Sequence, residues 1–173
     1  RSSFKYIGQE AEITADEKQI RESDRIILPG VGAFEDAARK LRESGMADVV
    51  TSEAANGKLL LGICLGMQLL FDKSYEYGEH EGLGLIRGNV VPIEPVIPKD
   101  YKIPHIGWNG LKFPPGKPAS PLFKYINEGD HVYFVHSFYA ADCDSAVIAT
   151  ADYGAPLTAA VADGNVIGTQ FHP

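Results

Sequence analysis

Cys64 stands between two glycines in the run Gly62-Ile63-Cys64-Leu65-Gly66-Met67-Gln68, directly after the apolar segment Leu59-Leu60-Leu61 and before a helix-like stretch. A glycine two residues to each side is what a sharp strand-to-helix turn requires, because a side chain there would collide across the turn. The spacing predicts an elbow that holds the Cys64 sulfur at the C-terminal edge of a sheet. The N–H groups opening the next helix can there stabilise a thiolate or an oxyanion. A free cysteine also serves as a small core hydrophobe, the commoner use of the residue. The flanking glycines and the polar Gln68 favour a nucleophile instead. So does Thr169-Gln170-Phe171-His172-Pro173, where a histidine closes a strand before a proline. Alone, His172 reads as an ordinary surface or core histidine; paired with Cys64 at one sheet edge, it is the natural general base.

Positioning these two residues requires strands, and apolar runs mark them. Arg25 to Leu28 reads as a buried strand that stops at the loop Pro29-Gly30-Val31-Gly32. Phe34, Ala37, Ala38 and Leu41 then recur at helical spacing, with Glu35 and Asp36 in the first turn, basic residues near the end and Gly45 as terminator. Met46 to Asn56 predicts a second helix stopped by Gly57, and Lys58 to Ile63 a strand covered on both faces. This order points to a parallel sheet. Beyond Phe71, glycines at 78, 82, 84 and 88 and prolines at 92, 95, 98 and 104 predict a loop-rich stretch around a strand from Asn89 to Ile93. Phe113 to Pro121 reads as a surface excursion. Strands are expected over Val132 to Tyr139 and Ala146 to Thr150, with a hairpin from Ala159 to Gln170 turning at Asp163-Gly164-Asn165. The fold class is therefore α/β: three-layer, with a mostly parallel sheet, a nucleophile elbow and an added antiparallel portion.

The 173 residues suit one domain over 1–173, and a net charge of −7 argues against nucleic-acid or anionic-membrane partners. With two cysteines in unlike contexts, Cys64 and Cys143, and no clustered His/Cys ligands, neither a disulfide framework nor a metal site is expected, and no cofactor. The compartment reads as reducing and cytoplasmic. The chain begins at Arg1 without methionine and stops at Pro173, so both ends are expected to be cut.

Pro29-Gly30-Val31-Gly32, Gly62 to Gln68 and Gln170-Phe171-His172-Pro173, in this order, resemble the class I glutamine amidotransferases, which are flavodoxin-like in fold. More narrowly, Leu28 to Phe34, Pro104-His105-Ile106-Gly107-Trp108-Asn109 and Tyr133-Phe134-Val135-His136-Ser137 look like the glutaminase subunit of imidazole glycerol phosphate synthase. The resemblance implies hydrolysis of L-glutamine to glutamate and ammonia. The ammonia passes to a (β/α)₈-barrel cyclase subunit in a heterodimer, forming imidazole glycerol phosphate and the aminoimidazole carboxamide ribotide of histidine biosynthesis. It implies Cys64 as nucleophile and His172 as base, with the N–H groups of Val31 and Leu65 as oxyanion donors. Gly30 and Gly32 would let the loop reorient its peptide. Gln68, Glu76 and the backbone around Ser137 and Phe138 match the substrate-binding positions; read without the motif, Glu76 is a solvated glutamate and Gln68 a helix-surface residue. Trp108 and Asn109 match the face presented to the cyclase and Tyr133 the ammonia exit, with a core anchor, a turn residue and strand packing as their plainer uses. The family's His-Pro motif continues to a glutamate that orients the histidine, beyond Pro173. An amidotransferase subunit for anthranilate or aminodeoxychorismate synthesis, or an idle partner-binding scaffold, are the alternatives.

Overall fold

A computed structural model describes residues 2–116 and 119–172. Its strands are β1 (Arg25–Gly30), β2 (Leu59–Cys64), β3 (Phe71–Ser74), β4 (His80–Glu81), β5 (Ile86–Pro92), β6 (His105–Lys112), β7 (His131–His136), β8 (Phe138–Ala141), β9 (Val147–Asp152), β10 (Pro156–Asp163) and β11 (Val166–Thr169). The helices are α1 (Ser2–Tyr6), α2 (Glu17–Glu22), α3 (Phe34–Glu43), α4 (Met46–Ala55) and the single turn α5 (Leu65–Gln68). Seven strands form one sheet in the order β1-β2-β11-β10-β9-β6-β7, and β4-β3-β5-β8 form a second.

The α/β class holds, with a larger antiparallel share than the apolar runs suggest. In the main sheet only β1, β2 and β11 run parallel, and every pairing from β11 to β7 is antiparallel. Leu60 of the main sheet, Val50 and Ala54 of α4, Met67 of α5, and Phe71, Ile86 and Val90 of the small sheet share one buried cluster. On the opposite face Ile27, Leu61 and Ile167 lie in register across the parallel strands and are half-exposed, so the coverage on both faces expected of β2 is incomplete among the described residues. Below the cluster, the Glu53 carboxylate binds Lys58 at 2.8 Å and Arg21 at 2.9 Å, tying α4 to β2 and α2.

α3 and α4 form where the periodicity places them. Phe34 and Ala38 are buried, acidic residues open α3, Lys40 and Arg42 close it, and Gly45 turns the chain in the left-handed region at φ 74°. Three expectations change. The helix after the elbow lasts one turn, because the carbonyls that would extend it are taken from outside: those of Leu69, Leu70, Phe71 and Asp72 accept from the N–H groups of residues 82–86. That same pairing turns the loop-rich stretch into β3, β4 and an earlier start for β5. The run Val132 to Tyr139 breaks at Ser137, since β7 pairs with β6 in the main sheet and β8 with β5 in the other. Residues 105–112, for which the sequence pattern names no element, form β6. Among the described residues no helix is long and apolar enough to cross a membrane.

Candidate active site

Cys64 ends β2 and opens α5 with φ 56° and ψ −115°, a conformation that residues with a side chain rarely adopt and that tight packing must hold. The packing is backbone on backbone. A Cβ on Gly62 would lie 2.6 Å from the Gly66 carbonyl oxygen, one on Gly66 would strike the Leu28 carbonyl, and one on Gly30 would lie 2.7 Å from the Gly66 amide nitrogen. The elbow is thus wedged against β1 by three glycines. Parallel register sets Gly30 opposite Cys64, so the Pro29-Gly30-Val31-Gly32 loop leaves the sheet beside that cysteine.

The freedom expected of that loop belongs to Gly32 alone. Gly30 is pinned by its contact with Gly66, whereas Gly32 has φ 100° and open space around it. Val31 between them is 84% exposed. The loop is anchored at its far end, where the Phe34 N–H at the start of α3 donates to Glu76 Oε2 at 2.6 Å. Ala33, the N-cap, has no side-chain oxygen to do this, so Glu76 caps the helix and is not a freely solvated glutamate.

Gln68 is buried, not on a helix surface. Its Nε2 donates to Gln170 Oε1 at 3.0 Å and to the Phe138 carbonyl at 3.3 Å, while Gln170 Nε2 points at Cys64 Sγ from 3.7 Å. Burial pushes the Cys64 thiol above its ordinary value, with the Leu65 N–H and the Gln170 amide pulling the other way. Gln170 is the residue that motif reading passed over as a site member. Its signal was a polar side chain in the closing apolar run, two positions before His172. The Ser137 carbonyl accepts from the Ile93 N–H at 3.0 Å.

His172 leaves the same sheet edge as Cys64, because β11 runs parallel to β2 with Thr169 opposite Ile63. Its backbone N–H donates to the Tyr133 carbonyl at 3.1 Å. No hydrogen bond joins His172 to Cys64 among the described residues. Tyr133 pairs with Trp108 across β6 and β7, ring centroids 5.6 Å apart, so the residues expected at the partner face and ammonia exit adjoin the histidine. Among the described residues no group of three or more His, Cys, Asp and Glu side chains is placed to hold a metal ion.

The profile of the glutamine amidotransferase class-I family matches residues 3–173. The chain belongs to the class I glutamine amidotransferases. This amidotransferase is 47% identical over 172 residues to an imidazole glycerol phosphate synthase subunit HisH of Caldanaerobacter subterraneus subsp. tengcongensis, covering 99% of this chain and 81% of that protein. It is 49% identical over 177 residues to the protein of the same name from Geobacillus sp., covering 100% and 79%. Its fold is similar to a solved glutamine amidotransferase at TM-score 0.74 and 20% identity, covering 99% and 82% of the two chains. It is also similar to PurLQS from Thermotoga maritima at TM-score 0.61 and 24% identity, covering 87% and 69%.

Proposed function

We propose that the chain is the glutaminase subunit of an imidazole glycerol phosphate synthase, cytoplasmic and acting as a heterodimer with a (β/α)₈-barrel cyclase. The observation that carries this reading is the strained elbow at Cys64, with the glycine loop in register beside it and His172 leaving the same edge. The HisH names of its relatives support this pathway over anthranilate or aminodeoxychorismate synthesis. The union of Cys64 with Gln170 and Gln68 in one hydrogen-bonded group is more than a scaffold needs.

In this reading Cys64 gives its proton to His172, and the thiolate adds to the side-chain amide carbon of glutamine. The tetrahedral oxyanion takes hydrogen bonds from the Leu65 and Val31 N–H groups. His172 then protonates the departing nitrogen, ammonia leaves, and water attacks the thioester to give glutamate and the free thiol. Gln68, Glu76 and the backbone at Ser137 and Phe138 hold the amino-acid end of the substrate.

Ammonia leaves past Tyr133 toward the partner. The outward face of β6 and β7 suits a docking surface: Trp108 is 68% exposed and Ile106 57%, with Val135 beside them, an apolar patch on an acidic chain.

Cys64→Ala tests the assignment with purified cyclase. Glutamine-dependent synthesis is lost, while synthesis from added ammonium salts persists because that chemistry belongs to the cyclase. Glutamine-dependent product from the variant, or equal loss of both activities in a variant that still docks, contradicts it.

A further inference from the structure

The loop from Gly30 to Ala33 is held at both ends and free between them. At the near end Gly30 is wedged against Gly66. At the far end the Phe34 N–H, the first of α3, donates to Glu76 Oε2 at 2.6 Å across 42 positions of sequence. The exposed Val31 and the unhindered Gly32 lie between the two anchors.

The far anchor has no substitute. The first N–H of a helix finds no partner inside the helix, and Ala33 has no side-chain oxygen to offer one. Water does not reach it either, because Phe34 is 0% exposed and packed with Ala38, Leu69 and Leu65 of the elbow. Without the Glu76 carboxylate that N–H is a buried donor left unpaired, and only a shift of the backbone toward solvent relieves it. The Phe34 ring is fixed in its cluster. The shift therefore falls on the chain before it, which carries the Val31 N–H.

Glu76 is itself aimed. Its N–H donates to Oγ of the buried Ser74 at 3.2 Å, and the neighbouring Tyr75 N–H donates to the Val90 carbonyl at 2.9 Å. Tyr77 follows in the left-handed region at φ 54°, a conformation that bulky side chains avoid, with its ring edge-on to Phe138 at 6.0 Å. This strained turn thus bridges the start of α3 and Phe138, whose carbonyl accepts from Gln68. Among the described residues no lysine, arginine or histidine forms an ion pair with Glu76, so its charge is open to a cation from outside.

We propose that Glu76 is a positioning residue for the oxyanion donor as well as a substrate contact. The carboxylate that takes the α-ammonium of glutamine also holds Phe34, and through it the end of the Val31 loop. Recognition of the amino-acid end and presentation of the Val31 N–H then depend on one side chain. The proposal rests on the glutaminase reading for the substrate; the anchor itself does not depend on activity.

Two substitutions separate the contacts. In Glu76→Gln the amide oxygen still accepts from the Phe34 N–H while the charge is gone; in Glu76→Ala both contacts go. Each is also made together with Ala33→Ser, whose hydroxyl caps the following N–H groups of α3 and leaves that of Phe34 unserved, so that helix stability is not the variable. In glutaminase assays with cyclase and its nucleotide ligand bound, Glu76→Gln should raise KM about tenfold or more and leave kcat within about threefold of wild type. Glu76→Ala, with or without Ala33→Ser, should raise KM likewise and lower kcat by about tenfold to a hundredfold, toward the worth of one oxyanion donor. Hydrogen exchange of the Phe34 amide, followed by NMR, should be unchanged in Glu76→Gln and about tenfold faster or more in Glu76→Ala/Ala33→Ser. A kcat for Glu76→Ala/Ala33→Ser equal to that of Ala33→Ser alone would overturn the proposal. So would a loss of kcat in Glu76→Gln as deep as in Glu76→Ala, or a Phe34 amide as protected in the alanine variant as in wild type. A wild-type complex without glutaminase activity counts against the glutaminase reading instead, and exchange of the Phe34 amide still decides whether Glu76 holds the loop.

Discussion

Trp108 and Tyr133 face each other across β6 and β7 with their ring centroids 5.6 Å apart, and the Tyr133 carbonyl holds the His172 backbone at 3.1 Å. The proposed docking face and His172 are therefore joined through one strand pairing, so that a partner seated on Trp108 would bear on the strand that positions His172.

Trp108→Ala should weaken cyclase binding by about 2 kcal/mol, roughly thirtyfold in Kd, as for a large aromatic at the centre of an interface. Titration calorimetry measures this; a change below threefold would move the interface away from β6 and β7.

A glutamine-analogue electrophile such as a chloroketone should label Cys64 and spare Cys143. Both thiols are raised by burial, Cys143 to about 11, but Cys143 is 3% exposed and far less accessible than the half-buried Cys64. Peptide mapping that finds the adduct on Cys143 would remove Cys64 from the mechanism.

Gly66→Ala should destabilise the fold by about 3 kcal/mol, because the added Cβ meets the Leu28 carbonyl, a backbone atom that cannot step aside. Gly32→Ala meets nothing and should cost about 1 kcal/mol through its positive φ. Urea unfolding compares the two, and equal costs would deny the wedge of the elbow against β1.

Glutamine hydrolysis by the free chain should be slow and should rise about a hundredfold when cyclase and its nucleotide ligand bind, the usual worth of an oxyanion donor. The exposed Val31 and unhindered Gly32 give the loop room to swing the Val31 N–H. Identical turnover alone, with cyclase, and with cyclase plus nucleotide would reject this switch.

Stability should fall as pH drops from about 6.5 to about 4. His136 stays neutral in the native state until about pH 4, while the unfolded chain takes up that proton near 6.5. The unfolded state then binds more protons across this window, so stability rises with pH and is lost on acidification, by up to about 3 kcal/mol from this group. His136→Asn should flatten that part of the profile; an unchanged slope would show that another group carries it.

The glycine spacing around Cys64, the periodicity of α3 and the closing hairpin were readable from the chain, because each depends on neighbours within a few residues. Glycine is demanded locally by a turn, a helical stripe repeats within one element, and Gly164-Asn165 turns β10 directly into β11. What lay beyond reach were pairings between distant segments. Only the folded chain brings residues 82–86 onto the Leu69 to Asp72 carbonyls, ending the helix after one turn. Only the exchange between sheets breaks the strand at Ser137. Glu76 reads as solvated until the fold carries it to the Phe34 N–H, and Gln68 as surface until Gln170 and Phe138 close over it. Apolar pattern reports which side of an element is buried; which polar groups meet there is set by collapse, which leaves buried donors and acceptors no water to turn to.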